Sequence, residues 1–411
     1  MIPPGRSFAG ACALALLLAG CGGSDDPAAP KPPVATQPTA PVAQPARADV
    51  LATAAGGIDS IAFTGDTAWL SLSNTATTET AVVRASLPLR TESAWSGVAM
   101  GECGLAREES GTWPLRAPSL RMLGSDLWLF QPWYDKGPDA RPEHALCALS
   151  ADRTTFVPRD AGLKVCVGSA CTTLSMSDLK QVNNRLYTNA GGGQNVLASN
   201  DGGARWRVLT GFFDQDICTH PAFEIVGDRL LVGGECPLDA AFLRAYQLAP
   251  DGVSLASRDA LPVILPELEN RNVQFIRATG SQRVFAGVEG GLLRSEDGGK
   301  SFQFVIRHPL SGGRNYPYIR HLIALAGKPD TLVAGGFDKA TQKPYLAWSK
   351  DGGTTWTDLS SLLPGYARNL DDQSVAAVTA IAEDPQGRVL VAVNEKESAQ
   401  GRLVLVTLGT P

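Results

Sequence analysis

Aromatic rings, arginines and carboxylates cluster in five stretches of this chain, four of which contain a carboxylate. They are Gln131-Pro-Trp133-Tyr134-Asp135, Phe212-Phe213-Asp214-Gln-Asp216, Glu267-Leu-Glu269-Asn270-Arg271, Gly313-Arg314-Asn315-Tyr316-Pro-Tyr318-Ile-Arg320-His321 and Arg368-Asn-Leu-Asp371-Asp372. Rings stack and a guanidinium offers a planar donor fork, which is what a protein or glycan surface uses. Trp133, Tyr134, Asp216, Arg271, Arg314, Tyr316, Tyr318 and Arg320 are therefore the binding candidates. Each alone has a plainer account as a packed ring or a solvated loop charge; together the stretches favour binding. Hydrolysis of a glycosidic bond with inversion would need two carboxyls about 6.5 to 9.5 Å apart. Asp216, Glu235, Glu269, Asp338 and Asp372 are available for that, but spacing along the chain does not pair them. There is no Gly-x-Ser-x-Gly elbow and no phosphate-cradling glycine loop. His144, His220, His308 and His321 are scattered and Cys-x-x-Cys is absent, so neither a metal nor another cofactor is expected. No residue is singled out as catalytic, and the balance of residue types leans away from an enzyme.

The N-terminus carries its own chemistry. Arg6 precedes an apolar run, Phe8 to Ala19, that is shorter than the roughly 20 residues a bilayer span needs. Basic residue, short apolar run and small residues before a cut describe an export signal. The run ends in Leu18-Ala19-Gly20-Cys21, which resembles the lipobox of bacterial lipoproteins. That resemblance implies a signal peptide over 1–20 and acyl chains on Cys21. Gly22 is not the Asp associated with retention in the inner membrane, so the expected address is the outer membrane, facing periplasm or cell surface. Residues 21–48 are rich in proline and alanine without apolar periodicity, and are expected to be a disordered tether. A net charge of −5 argues against a nucleic-acid partner. Besides Cys12 and Cys21 there remain Cys103, Cys147, Cys166, Cys171, Cys218 and Cys236, an even set in an exported chain that suggests disulfides. Fifteen pairings are possible, so the fold has to choose.

The elements that must position these groups repeat. Ser199-Asn-Asp201-Gly-Gly203-Ala-Arg-Trp206, Ser295-Glu-Asp297-Gly-Gly299-Lys-Ser-Phe302 and Ser349-Lys-Asp351-Gly-Gly353-Thr-Thr-Trp356 align without gaps, and Ser150-Ala-Asp152-Arg-Thr-Thr-Phe156 reads as an eroded copy. The pattern suits a hairpin turn, with Asp bonding nearby backbone and glycine accepting positive φ. It resembles the Asp box, or BNR repeat, of sialidases, sortilin-type receptors, xyloglucanases and the photosystem assembly factor family. The resemblance implies a structural turn on the outer part of a β-propeller blade, so Asp201, Asp297, Asp351, Trp206, Phe302 and Trp356 are expected to be structural. It also raises the glycosidase alternative, of the sialidase-like or xyloglucanase-like kind. The Arg-Ile-Pro motif of sialidases is missing.

Seven short apolar runs follow turn residues at intervals of roughly one blade: Trp69-Leu-Ser71, Trp128-Leu-Phe130, Leu186-Tyr187, Leu230-Leu-Val232, Val284-Phe-Ala286, Leu332-Val-Ala334 and Val389-Leu-Val391. The expected fold is all-β, a seven-bladed propeller of four-stranded blades over 49–411, with six blades as the alternative. The last repeat ends after a third strand, Leu403 to Thr407, and Asp49 to Thr53 can supply its fourth. In that arrangement Cys218 and Cys236 flank adjacent strands of blade 4, Cys166 and Cys171 can staple one tight loop between blades 2 and 3, and Cys103 and Cys147 remain to join the blade 1 to 2 connection to blade 2. The reading as a whole is a lipid-anchored envelope protein whose propeller face binds a protein or glycan in a scaffold, assembly or receptor role.

Overall fold

The computed structural model describes residues 45–73, 82–103, 118–130, 144–159, 163–167, 170–173, 176–190, 194–211, 217–237, 240–310, 312–365, 378–395 and 400–409, with backbone alone for 164–167 and 170–173. The chain is a seven-bladed β-propeller. The inner strands are Gly57–Thr64, Ser119–Leu123, Met176–Val182, Thr219–Val226, Val273–Ala278, Pro317–Leu325 and Val378–Glu383. Each pairs antiparallel with a second strand, and these are Thr67–Ser73, Asp126–Phe130, Arg185–Ala190, Arg229–Cys236, Val284–Val288, Lys328–Asp338 and Val389–Asn394. All seven apolar runs of the sequence lie in the second strands.

Those runs are apolar at every position but Ser71 because both faces are covered. In Asp126–Phe130, Leu127 and Leu129 pack into the interface with blade 1, whereas Trp128 and Phe130 pack into the interface with blade 3. The same alternation recurs around the ring, and each of the seven interfaces between blades holds its own hydrophobic cluster.

Closure follows the expected scheme. Blade 7 takes three strands from the C-terminal part and its outermost strand, Arg47–Ala55, from the N-terminal part. That strand pairs with Gln400–Thr407 from Arg47↔Thr407 to Ala55↔Gln400. Blade 4 departs from the expected four strands. Its sheet has three, and the chain beyond Gln247 contributes single bridges, Leu248↔Leu255 and Ala245↔Leu261. Pro250, Pro262 and Pro266 in that stretch lack the N–H a ladder requires.

The repeated Ser-x-Asp-Gly-Gly turns connect third to fourth strands in blades 3, 5 and 6. Ser199 Oγ donates to Asp201 Oδ1 at 2.8 Å and accepts the Gly203 N–H at 3.0 Å. Ser295 and Ser349 repeat both bonds. Trp206 and Trp356 donate from Nε1 to the carbonyls of Gly203 and Gly353. The second glycine of each turn lies against the preceding blade: at Gly299, φ is +80° and a Cβ would meet Leu231 at 2.5 Å. Gly299→Ala is therefore expected to destabilise the protein by more than about 1 kcal/mol in urea unfolding, through strain and overpacking together. An unchanged midpoint would refute this account of the turn.

Two disulfides tie the scheme together. Cys218–Cys236 joins the first and second strands of blade 4, and Cys103–Cys147 joins the short turn Gly101–Cys103 after blade 1 to the third strand of blade 2. Cys166 and Cys171 face each other in the backbone register of a separate hairpin between blades 2 and 3, but their side chains lie outside the described residues.

Candidate functional site

In an antiparallel blade the turns from strand 1 to 2 and from 3 to 4 lie on one face of the ring. The turns from 2 to 3 and the links between blades lie on the other, here named the connection face. Six of the seven inner strands shift register near their connection end: between Ile58 and Ser60, Met176 and Asp178, Thr219 and Ala222, Val273 and Phe275, Ile319 and His321, and Val378 and Ala380. A bulge re-aims the side chain it carries. Here the bulge residues Asp59, Ser177, Arg320 and Thr379 line a cavity of about 690 Å³ on the ring axis. Its remaining walls include Arg121, Arg277, Thr279, His321 and Glu383, with Phe63, Met122, Phe130, Phe275, Ile323 and Ile381 between them.

A second set of charges sits closer to the hairpin face. Arg121, Lys180 and Glu224 each precede by two residues the pair that closes their hairpin, Leu123↔Asp126, Val182↔Arg185 and Val226↔Arg229. Arg121 meets Asp178 at 2.7 Å, and Lys180 meets Glu224 at 2.9 Å and Asp178 at 3.6 Å. Lys180 also donates to the Ile276 carbonyl, and Glu224 accepts the Ala278 N–H. Burial works against the Asp178 charge, yet Arg121, Lys180 and Arg277 override it and hold its pKa at about 2. His321 is driven down to about 3, by burial first and then by Arg320, Arg277 and Arg121, so its ring is neutral at pH 7.

No family model matches this sequence, and no curated protein does. Solved structures do. YCF48 from Cyanidioschyzon merolae is 10% identical, with 87% of this chain and 98% of that one covered and a TM-score of 0.50. YCF48 bound to D1 peptide is 13% identical over 89% and 95%, with a TM-score of 0.51. A GH74 xyloglucanase from Xanthomonas campestris is 15% identical over 85% of this chain and 52% of its own, with a TM-score of 0.53. What they share with this chain is the fold.

Of the five binding candidates among the described residues, Arg320 alone lines the cavity. Arg271, Tyr316 and Tyr318 were expected to be exposed and are not: they are 1%, 3% and 0% accessible. Arg271 is held by Glu269 at 3.0 Å and donates to the carbonyls of Glu289, Gly290 and His308. Tyr316 lies against Arg271 and donates to Glu289, and Tyr318 stacks on Phe337 at 4.8 Å. Arg314 meets the same buried Glu289 at 3.3 Å. This network fastens the link between blades 5 and 6 to its neighbours, and burial raises the Glu289 pKa. Cys21, Trp133, Tyr134 and Asp216 lie outside the described residues, as do Asp371, Asp372 and Arg368. Of the other carboxylate candidates, Glu235 lies in the second strand of blade 4 opposite Thr219 and outside the cavity lining, Glu269 is paired with Arg271 and Arg307, and Asp338 accepts bonds within its own turn from Ala340 and Thr341. Neither Glu269 nor Asp338 lines the cavity. Among the described residues no three His, Cys, Asp or Glu side chains converge as metal ligands.

The two depressed pKa values set an acid response. The His321 pKa lies below its unfolded value, so stability is full above about pH 6.5 and falls as the unfolded chain gains a proton that the fold refuses, down to about pH 3. The Asp178 pKa is also depressed, so its contribution is present above about pH 4 and disappears as pH falls toward 2, a loss of about 2 kcal/mol. Urea midpoints measured from pH 7.5 to 3 should decline from pH 6.5 and steepen below 4. His321→Gln should flatten the upper limb, and parallel curves for both proteins would contradict the assignment.

Proposed function

We propose that this chain is a non-catalytic, lipid-anchored protein of the outer membrane whose propeller binds a protein or glycan at the mouth of its axial cavity. The expected signal over 1–20, acyl chains on Cys21 and a tether that ends at the Arg47–Ala55 strand support the lipid-anchored address, facing periplasm or cell surface. The observation that carries the binding reading is the cavity itself, into which four bulged inner strands deliver polar side chains. A peptide is bound in the YCF48 structure with D1 peptide and a xyloglucanase is built on a related ring, so this architecture serves both kinds of ligand. Binding is favoured over hydrolysis because, among the described residues, the carboxylates near the cavity are already engaged. Asp178 and Glu224 are in ion pairs, Asp59 accepts from Asn394, and Glu383 accepts from the Ala326 N–H. A glycosidase acid needs a carboxyl kept protonated near neutrality, the reverse of what Asp178 experiences.

Crosslinking in the native envelope tests this reading, with Arg320→Ala as the cavity control and Cys21→Ala as the anchor control. The expected result is a specific partner or bound glycan lost with Arg320→Ala, and loss of palmitate labelling with Cys21→Ala. Turnover of a glycan by the purified protein, with no stable complex, would overturn the non-catalytic reading.

A further inference from the structure

Glu289 is fully buried at the turn from the second to the third strand of blade 5, where the link from blade 4 and the link to blade 6 meet. Its N–H donates to the Asn272 carbonyl, the Gly290 N–H donates to the Pro317 carbonyl, and the Gly290 carbonyl accepts the His308 N–H. The carboxylate accepts from Arg314 Nη1 and the Tyr316 hydroxyl at 3.3 Å each, and from Asn272 Nδ2 at 3.4 Å. Charge-assisted bonds are ordinarily about 2.7–2.9 Å, so this charge is held loosely. Burial raises its pKa, against the opposing pull of Arg314, Tyr316, Arg320 and Asn272. Asn272 can partner either form: Nδ2 donates to the carboxylate, and Oδ1, buried without a hydrogen bond, turns in as the acceptor for a protonated Oε1. Arg314 has φ +55°, a left-handed conformation that strains any residue with a Cβ, and the pair with Glu289 is one of the contacts that hold it there.

We propose that Glu289 is a proton-operated clasp between blades 5 and 6: ionised, it draws in Arg314 and Tyr316 and fixes the link that carries them; protonated, it turns to Asn272 Oδ1 and lets that link move. From the blade 4 side, Arg271 donates to the Glu289 carbonyl and is neutralised by Glu269, whose pKa is lowered by the bond from Arg271, so that pair keeps its charges in mild acid. From the blade 6 side come Arg314, Arg320, and Tyr316 and Tyr318, which burial keeps protonated; Lys339 touches the same link through its N–H. His308 is the other group there that can titrate, and burial lowers its pKa. The sign is favourable for a local device. The folded pKa of Glu289 lies above its unfolded value, so this group adds stability as pH falls through it, and the clasp opens without unfolding the ring. Arg320 lines the cavity, so neutralising Glu289 also makes the mouth more positive. The clasp is independent of what the mouth binds.

The test is hydrogen–deuterium exchange of the full-length protein from pH 8 to 4, read by mass spectrometry and corrected for the intrinsic pH dependence of exchange. The amides of Gly290 and Lys339 report on the clasp, because they donate to the Pro317 and Tyr316 carbonyls of the link. Their exchange should quicken at least tenfold as pH falls, with a midpoint above the ordinary glutamate value of 4.5. His321 and Asp178, at about 3 and 2, titrate below this window. Glu289→Gln should exchange fast at these amides already at pH 8, lose the pH response, and melt no lower than the parent. Arg314→Gly, which removes both the strain and the charge, should cut the pH response severalfold. Slow exchange at pH 8 in Glu289→Gln, or a melting temperature lowered there, would show a plain structural anchor and overturn the clasp. A pH response that persists in Glu289→Gln would assign the titration to His308 and overturn it equally, as would an undiminished response in Arg314→Gly.

Discussion

Deletion of residues 47–55 is expected to lower the melting temperature by on the order of 10 °C and to make the protein aggregate on warming. The deleted strand contributes Leu51 to the cluster between blades 7 and 1 and supplies every partner of the outer edge of Gln400–Thr407. Without it that edge exposes a row of unpaired N–H and C=O groups. The run Leu403-Val404-Leu405-Val406 sits in the same strand, which makes the bare edge a template for pairing with other copies. Differential scanning calorimetry with light scattering checks both parts. A melting temperature within a degree of the intact chain would mean that Arg47–Ala55 decorates the ring rather than closing it.

Glu224→Ala should be the most damaging single substitution around the cavity, at about 3–5 kcal/mol. The Lys180 and Glu224 side chains are 7% and 8% accessible, so truncating the carboxylate leaves a buried ammonium with only the more distant Asp178, at 3.6 Å, as a counter-charge. It also removes the acceptor of the Ile225 and Ala278 N–H groups. Burial already disfavours the charged lysine and pushes its pKa down, with Glu224 the chief opposing influence. Changing both residues, Lys180→Met with Glu224→Leu, should recover much of the loss because no lone charge remains. Urea unfolding of the two variants decides the matter: a loss under about 1 kcal/mol in Glu224→Ala would show that water reaches Lys180 freely.

The architecture was legible because a propeller strand is covered on both faces. Trp128-Leu129-Phe130 is apolar at consecutive positions since alternate side chains enter different clusters, and six other runs repeat this. The turn motif was legible for a local reason, as Ser199, Asp201 and Gly203 bond one another without help from distant chain. Blade 4 was misread because its second-strand run predicts a blade but not whether the proline-containing stretch after Gln247 can add an outer strand.

The site was largely hidden. Arg121, Lys180, Glu224 and Arg277 lie within strands and resemble ordinary polar positions in an alternating pattern. What sets them apart is register: each follows a buried residue, Leu120, Leu179, Phe223 or Ile276, on the innermost strand, and Ile319-Arg320 does the same. That shared position was available in the sequence once the inner strands were aligned. The bulges were not, since a shifted register depends on the partner strand. Arg271 and Tyr318 misled for the opposite reason. Arginine and tyrosine in a loop suit a surface equally well, and only the carbonyls of Glu289, Gly290 and His308 around Arg271 and the ring of Phe337 under Tyr318 decide for burial.

The antiparallel pairing of Arg47–Ala55 with Gln400–Thr407 also governs how the molecule carries load. A pull on Arg47 along the strand axis would load these hydrogen bonds as a set, in shear, rather than opening them one by one. The strand is largely exposed on its sides, with Leu51 its one buried side chain. Failure under such a pull would therefore begin at this seam and open the ring before any blade unravels.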